Sequence, residues 1–166
     1  MTMRKCLAFL TTFAFLIAAC AAPPPAEADH PDLEHAQQTL LDFFSLLAAG
    51  DYAAAASLHA AEDESYEDAR RNNPDVDAND RAALLEAACT FQLQCLEIRE
   101  VLSAAQVGTD QYDFVVTFSN SDGSLFVLGP CCGEDETSMP PVSEFVYRVE
   151  VRGGGFFVLG SPVYVP

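Results

Sequence analysis

Apolar positions in the first half of the chain recur at the spacing of a helix. Leu33, Ala36, Leu40, Phe44 and Leu47 form one stripe, which Phe43 widens, so the pattern predicts an amphipathic helix over 31–49. Pro31 suits the first turn, Asp32 and Glu34 put negative charge at the positive end of the helix dipole, and Gly50 is a natural left-handed terminator. Asp51 can then cap a second helix over 52–60, whose alanine run at 53–56 allows close packing against the first. His59 falls near the end of that helix, with no partner motif beside it, and is expected to be a surface or capping imidazole. The segment 62–80 is polar and acidic, holds Arg70 and Arg71 as its cations and breaks at Asn73-Pro74. It predicts a surface loop with a single helical turn around Glu67. Asn79 or Asp80 can cap a third main helix over 81–89 that turns Leu84, Leu85 and Ala88 inward.

Beyond Phe91 the helical period gives way to β-rich segments separated by turn signals. Five strands are expected, at 92–104, 110–119, 124–128, 143–152 and 155–165. The Ser121-Asp122-Gly123 and Gly153-Gly154-Gly155 turns mark hairpins, which makes the last four strands mostly antiparallel. Tyr112, Phe114, Val116 and Phe118 alternate along one strand, as do Phe145, Tyr147, Val149 and Val151 along another, and these are the expected core faces. The opposite faces carry Asp113, Thr117, Arg148, Glu150 and Arg152, which are either solvated or line a polar crevice.

The fold class that follows is α+β, with N-terminal helices packed on a curved, mostly antiparallel sheet. The chain has 166 residues, half of them hydrophobic, enough for one domain of ordinary size over 31–166. The first thirty residues have a different grammar. Arg4 and Lys5 precede an apolar run at 7–18 that is short for a bilayer span, so this reads as an export signal. Ile17, Ala18 and Ala19 lead into Cys20, and this stretch resembles a bacterial lipobox. The resemblance implies a signal peptide over 1–19, a lipid on the Cys20 sulfur, and an anchored protein displayed in the cell envelope outside the cytoplasm. The segment 20–30, with Pro23, Pro24 and Pro25 among small and acidic residues, suits a flexible tether. Acyl chains contribute roughly 0.8 kcal/mol per buried methylene, so more than one would hold the domain at a membrane.

Net charge is -17, and it becomes two units more negative once Arg4 and Lys5 leave with the signal. Such a field disfavours nucleic acid and anionic membrane surfaces and would attract cationic partners or divalent metals. It also keeps an extracellular surface soluble.

The segment LLDFFSLLAAGDYAAAASLHA, an apolar helix ending in Gly-Asp-Tyr followed by an alanine-rich helix, resembles the opening of nuclear transport factor 2-like domains. That cone-shaped fold is also called SnoaL-like, ketosteroid-isomerase-like or cystatin-like. The resemblance implies a sheet that curls around its helices to leave a pocket. Some relatives of that kind are isomerases, dehydratases or cyclases, and many only bind. The enzymes place acidic and tyrosyl residues in the pocket, and no positions here match them, so no catalytic residue is assigned and fold analogy alone supports no enzyme.

Candidate chemistry is sparse. Asp75, Asp77, Asn79 and Glu86 stand at offsets 1, 3, 5 and 12 of an EF-hand-like calcium loop, but Asp80 occupies the glycine position and Pro74 precedes the first ligand. Helix capping explains the same residues. Cys89, Cys95, Cys131 and Cys132 remain after Cys20, and export would favour disulfides among them, each contributing roughly 2 to 4 kcal/mol. Of the three pairings, Cys131 with Cys132 would close a strained ring and force Cys89 onto Cys95 across an apparently extended segment. The two crossed arrangements, which tie the helix-to-sheet junction to the loop around 129–135, are therefore expected, with neither ranked first. No C-x-x-C, H-E-x-x-H, G-x-S-x-G, phosphate-binding glycine loop or haem-attachment motif is present, and Tyr66, Tyr112, Tyr147 and Tyr164 are expected to be packing or rim residues. The resulting expectation is an anchored, non-enzymatic domain that binds a small ligand or a protein, without cofactor or resident metal, as a monomer or weak dimer. A small pocket enzyme or an acidic calcium-binding lipoprotein are the alternatives.

Overall fold

The computed structural model describes residues 31–60 and 64–164, so the expected signal peptide over 1–19, Cys20 and the expected tether over 20–30 lie outside the described residues. Among the described residues four helices and six strands follow one another: α1 (Pro31–Ala49), α2 (Tyr52–Leu58), α3 (Ser65–Asn72), α4 (Arg81–Phe91), β1 (Leu93–Gln94), β2 (Ile98–Gly108), β3 (Gln111–Phe118), β4 (Phe145–Arg152), β5 (Gly155–Leu159) and β6 (Val163–Tyr164). The class is α+β, with the helices preceding antiparallel sheets. Among the described residues no sheet closes into a barrel. No described helix is long and apolar enough to cross a membrane.

The helix ends are set by the residues the sequence singles out. Asp51 accepts from the Ala54 N–H at 3.1 Å and starts α2, and Asp80 accepts from the Ala83 N–H at 3.0 Å and starts α4. Each satisfies an amide that the helix itself leaves unbonded. Gly50 takes φ 77 after α1, where its N–H bonds the Leu47 carbonyl at 3.1 Å. The segment expected to be a loop with one turn instead forms the two-turn α3. Tyr66 and Ala69 are buried on its inner side, while Arg70–Glu67 and Arg71–Asp68 pairs at 3.0 Å lace its outer side.

The main sheet is an antiparallel meander in the order β2-β3-β4-β5, and β1 pairs with β6 in a second, two-stranded sheet. Gly153 and Gly154, at φ 58 and 83, make the two-residue turn that pairs Arg152 with Gly155. Positive φ at both central positions matches the twist of the flanking strands. The predicted first strand is divided, because β1 leaves toward β6 before β2 begins, and β2 carries three register shifts against β3. Its half-buried residues are consequently Ile98, Val101 and Ala104, three apart rather than two. An extra residue in one strand bends it and sharpens the local twist.

The predicted strand over 124–128 is corrected to an irregular excursion. The Asn120–Gly123 turn is so tight that only isolated bridges follow, Ser119 to Leu125 and Leu128 to Val142. β3 therefore pairs directly with β4, and residues 119–144 leave the sheet and return between them.

The core lies between α1 and the apolar face of the main sheet. Phe44 is fully buried, with ring centroids 5.0 Å from Phe118, 4.7 Å from Tyr147 and 5.1 Å from Phe43. Tyr112, Phe114, Val116 and Phe118 are all buried, as expected from their alternation. Tyr147 and Val149 are buried too, while Phe145 and Val151 pack at the margin. Burial pushes the Tyr147 phenol well above its ordinary pKa, so it stays neutral in the folded protein.

His59 departs most from its sequence reading, since only 1% of its surface is exposed. Its ring stacks on Phe43 at 5.2 Å and meets Tyr66 edge-on at 5.0 Å, and Nε2 donates to the Gly160 carbonyl at 2.9 Å. The backbone at His59 bridges to Val158, and Ala60 N–H bonds the Val158 carbonyl at 3.0 Å, which covers the outer edge of β5. The imidazole is thus a core hub, displaced inward because α2 stops at Leu58 and the chain turns to meet the sheet.

Removing the Phe44 ring should leave a void that its rigid neighbours cannot fill. Phe44→Ala is expected to lower unfolding stability by about 3 to 5 kcal/mol in a chemical denaturation curve. Phe91→Ala, at a side chain 78% exposed, is expected to change it by about 0.5 kcal/mol or less.

Candidate functional site

The face of the main sheet opposite the buried aromatic face carries a charged row. Asp113 on β3 stands directly opposite Arg148 on β4. Arg148 donates to both carboxylate oxygens, Nε to Oδ1 at 2.6 Å and an NH2 nitrogen to Oδ2 at 2.8 Å. This two-pronged geometry is the strongest form of the pair. The hydrogen bond from Arg148, aided by its positive charge, holds the Asp113 carboxyl below its usual range against the opposing effect of partial burial. Arg152 donates to Glu150 at 2.9 Å further along β4. Of the five residues the sequence assigns to this face, Asp113, Arg148 and Arg152 line an open hollow, whereas Thr117 is buried and Glu150 does not reach it.

An open hollow of about 640 Å³ lies over this row, walled by Glu64, Ser65 and Asp68 of the α3 segment and by Leu159 to Ser161 after β5. A second hollow of about 370 Å³ continues from it on the other side of α3, reaching Gln92, Leu93 and the exposed Tyr164. Ser65, Asp68 and Ser161 line both, so the two form one groove that passes α3. Its position follows from local chain chemistry. α3 is amphipathic and seats Tyr66 against His59, while Gly160 at φ 89 lets the chain leave β5 and head for β6. The groove has acids, the guanidinium groups of Arg71, Arg148 and Arg152, each paired with a carboxylate, hydroxyls and a few apolar walls. Its size and polar lining suit a small polar molecule.

The sequence-predicted sites are placed as follows. Tyr66, Tyr112 and Tyr147 are buried packing residues, and Tyr164 is a rim residue. Asp77 turns back on its own loop, accepting from the Asn79 N–H at 2.9 Å, while Asp80 caps α4. Among the described residues no three His, Cys, Asp or Glu side chains come together as a metal would need, so Asp75, Asp77, Asn79 and Glu86 are not assembled into a calcium loop.

The cysteine expectation is corrected. Cys89 and Cys95 are bonded to each other, with Cα atoms 5.5 Å apart, and Cys131 and Cys132 are free. The segment between Cys89 and Cys95 is not extended. α4 runs on to Phe91 at the short rise of a helix, and Gln92 closes it with its N–H on the Ala88 carbonyl. The chain then folds back within disulfide reach. Neither crossed bridge forms, because the bond between Cys89 and Cys95 leaves neither sulfur for Cys131 or Cys132.

Serines 65 and 161 and Asp68 carry no sequence motif, and only the meeting of α3 with the turn after β5 makes them a site. Compared with protein-family profiles and with curated proteins, the chain matches none.

The Asp113–Arg148 pair gives a pH signature. A carboxyl whose folded pKa is depressed contributes stability above its unfolded value, near about 3.9, and loses it as pH falls through the folded pKa. Asp113→Asn is therefore expected to lower the melting temperature at neutral pH and to flatten its decline below about pH 4, read by calorimetry across a pH series. Parallel curves for the two proteins would show that the pair contributes nothing.

Proposed function

We propose that this chain is a lipid-anchored, extracytoplasmic binding domain of nuclear transport factor 2-like architecture, which holds a small polar ligand in the groove beside α3 and performs no chemistry on it. The filled interior carries this reading. In a cone-shaped fold the catalytic pocket would lie between helices and sheet, and here that space is occupied by Phe43, Phe44, Phe118, Tyr147 and His59 in mutual ring contact. The concavity lies outside instead, with a volume in the range of about 300 to 1,000 Å³ usual for small-molecule sites. The helical hairpin before the sheet and the bends along β2 support the cone architecture.

The anchor rests on Arg4, Lys5, the apolar run and Cys20. A lipid at Cys20 followed by a proline-containing tether would leave the groove facing the medium beside the membrane. The negative charge of the domain would keep it off anionic headgroups and away from nucleic acid, and a monomer or weak dimer suffices for a groove built within one chain.

Two measurements test the halves separately. In a bacterial host fed an alkyne fatty acid, the native chain should take up the label and sediment with membranes, and Cys20→Ser should do neither. Equal labelling of the two removes the anchor. In a melting-temperature screen of small polar metabolites, hits should stabilise the native protein and lose that effect in Ser161→Trp, which fills the groove. A screen without hits, or hits indifferent to the tryptophan, removes the binding site.

A further inference from the structure

The excursion between β3 and β4 is pinned at its neck, where Leu128 and Val142 exchange backbone hydrogen bonds at 2.8 and 2.9 Å. Beyond that neck its backbone is held by its own groups. The Glu134 N–H bonds the Cys131 carbonyl at 3.0 Å, the Cys131 N–H points at Met139 Sδ at 3.4 Å, and Asp135 Oδ1 accepts from the Thr137 and Ser138 amides. Adjacent side chains in a strand point to opposite faces, but here Cys132 adopts φ 61 and Gly133 follows at φ 90. Cys132 is the only described residue other than glycine with positive φ, a conformation that a side chain seldom adopts. The turn brings the two sulfurs to the same side, 2.9 Å apart. Cys132 is exposed and Cys131 half-buried, and the pair opens on a hollow of about 260 Å³ walled by Phe126, Leu128 and Pro130.

We propose that Cys131 and Cys132 are a redox modification site, a vicinal dithiol that closes reversibly to a disulfide by exchange with a low-molecular-weight disulfide. The accessible Cys132 thiolate attacks one sulfur of the small disulfide and expels one small thiolate, leaving a mixed disulfide on Cys132. The Cys131 thiolate then attacks the Cys132 sulfur, forms the Cys131–Cys132 bond and expels the second small thiolate. The cysteine pair loses two electrons and two protons, and the small disulfide becomes two thiols. Glu134, Asp135 and Glu136 follow directly, so a cationic disulfide is favoured over an anionic one. Neighbouring Cα atoms lie about 3.8 Å apart, below the lower end of the usual disulfide window at about 4.4 Å, whereas those of Cys89 and Cys95 are 5.5 Å apart. The vicinal bond is therefore the labile one and the Cys89–Cys95 bond the lasting one. This site does not depend on the groove or on the anchor.

The experiment uses the full chain in detergent, treated with cystamine and mapped by mass spectrometry of its peptides. The peptide holding Cys131 and Cys132 is expected to lose two hydrogens and carry no adduct. Dithiothreitol should reopen it at a concentration about tenfold below that needed for Cys89–Cys95. Cys131→Ser and Cys132→Ser, with unchanged circular dichroism, should each retain one cysteamine on the remaining thiol. A native peptide that carries cysteamine on both cysteines, that keeps both as thiols, or that is cross-linked to Cys89 or Cys95 overturns the proposal.

Discussion

Phe44 is the residue around which the helices and the sheet agree on a common arrangement. Its ring meets Phe118 from β3 and Tyr147 from β4, and its neighbour Phe43 reaches the other way to His59. Two consecutive aromatics on one helix thus address two different partners. Phe44 fixes α1 across the sheet, and Phe43 fixes the end of α2 against it. From His59 the chain of contacts continues to Tyr66 on α3 and to Gly160 after β5. Arg81 of α4 donates to the His59 carbonyl at 3.1 Å and lies over the Tyr66 ring at 5.7 Å, which brings the last helix into the same network. A cation over an aromatic face with little water between them is worth more than the same contact in solvent.

The groove is a by-product of that network. α3 is held where it is by Tyr66, which packs against His59 and lies under the Arg81 guanidinium, and its outward residues Ser65 and Asp68 then wall the hollow over the charged face of the sheet. The charged row on that face is placed by strand register alone, with Asp113 opposite Arg148. The interior and the exterior site are therefore linked through one short helix.

Much of the architecture is legible in the sequence where one physical signal acts alone. The stripe of α1, the capping aspartates 51 and 80, the glycine turn at 153–155 and the alternating face of β3 all answer to local rules. The failures come where two signals compete. β2 is bulged, so its half-buried residues fall three apart and imitate a helix more than a strand. His59 is polar by type and at a helix end by position, and only the long-range bridge to Val158 makes it buried. Cys89 and Cys95 look far apart when their linker is read as strand, and α4 overruns that boundary by two residues. The groove itself has no local signature, since Ser65, Asp68 and Ser161 meet only through tertiary contact.

The exchange of hydrogen bonds between Leu128 and Val142 has one more implication, for how this chain can change over generations. It brings the two ends of residues 129–141 to the spacing of a paired strand, so the fold registers only the neck and not the length beyond it. Loop-closure entropy grows slowly with length, and insertions or deletions past such a neck cost the domain little. Changes in the length of that appendage are therefore separable from the packing of the core. Sequence divergence should accumulate there first, at a place where new chemistry can be tried without refolding the rest.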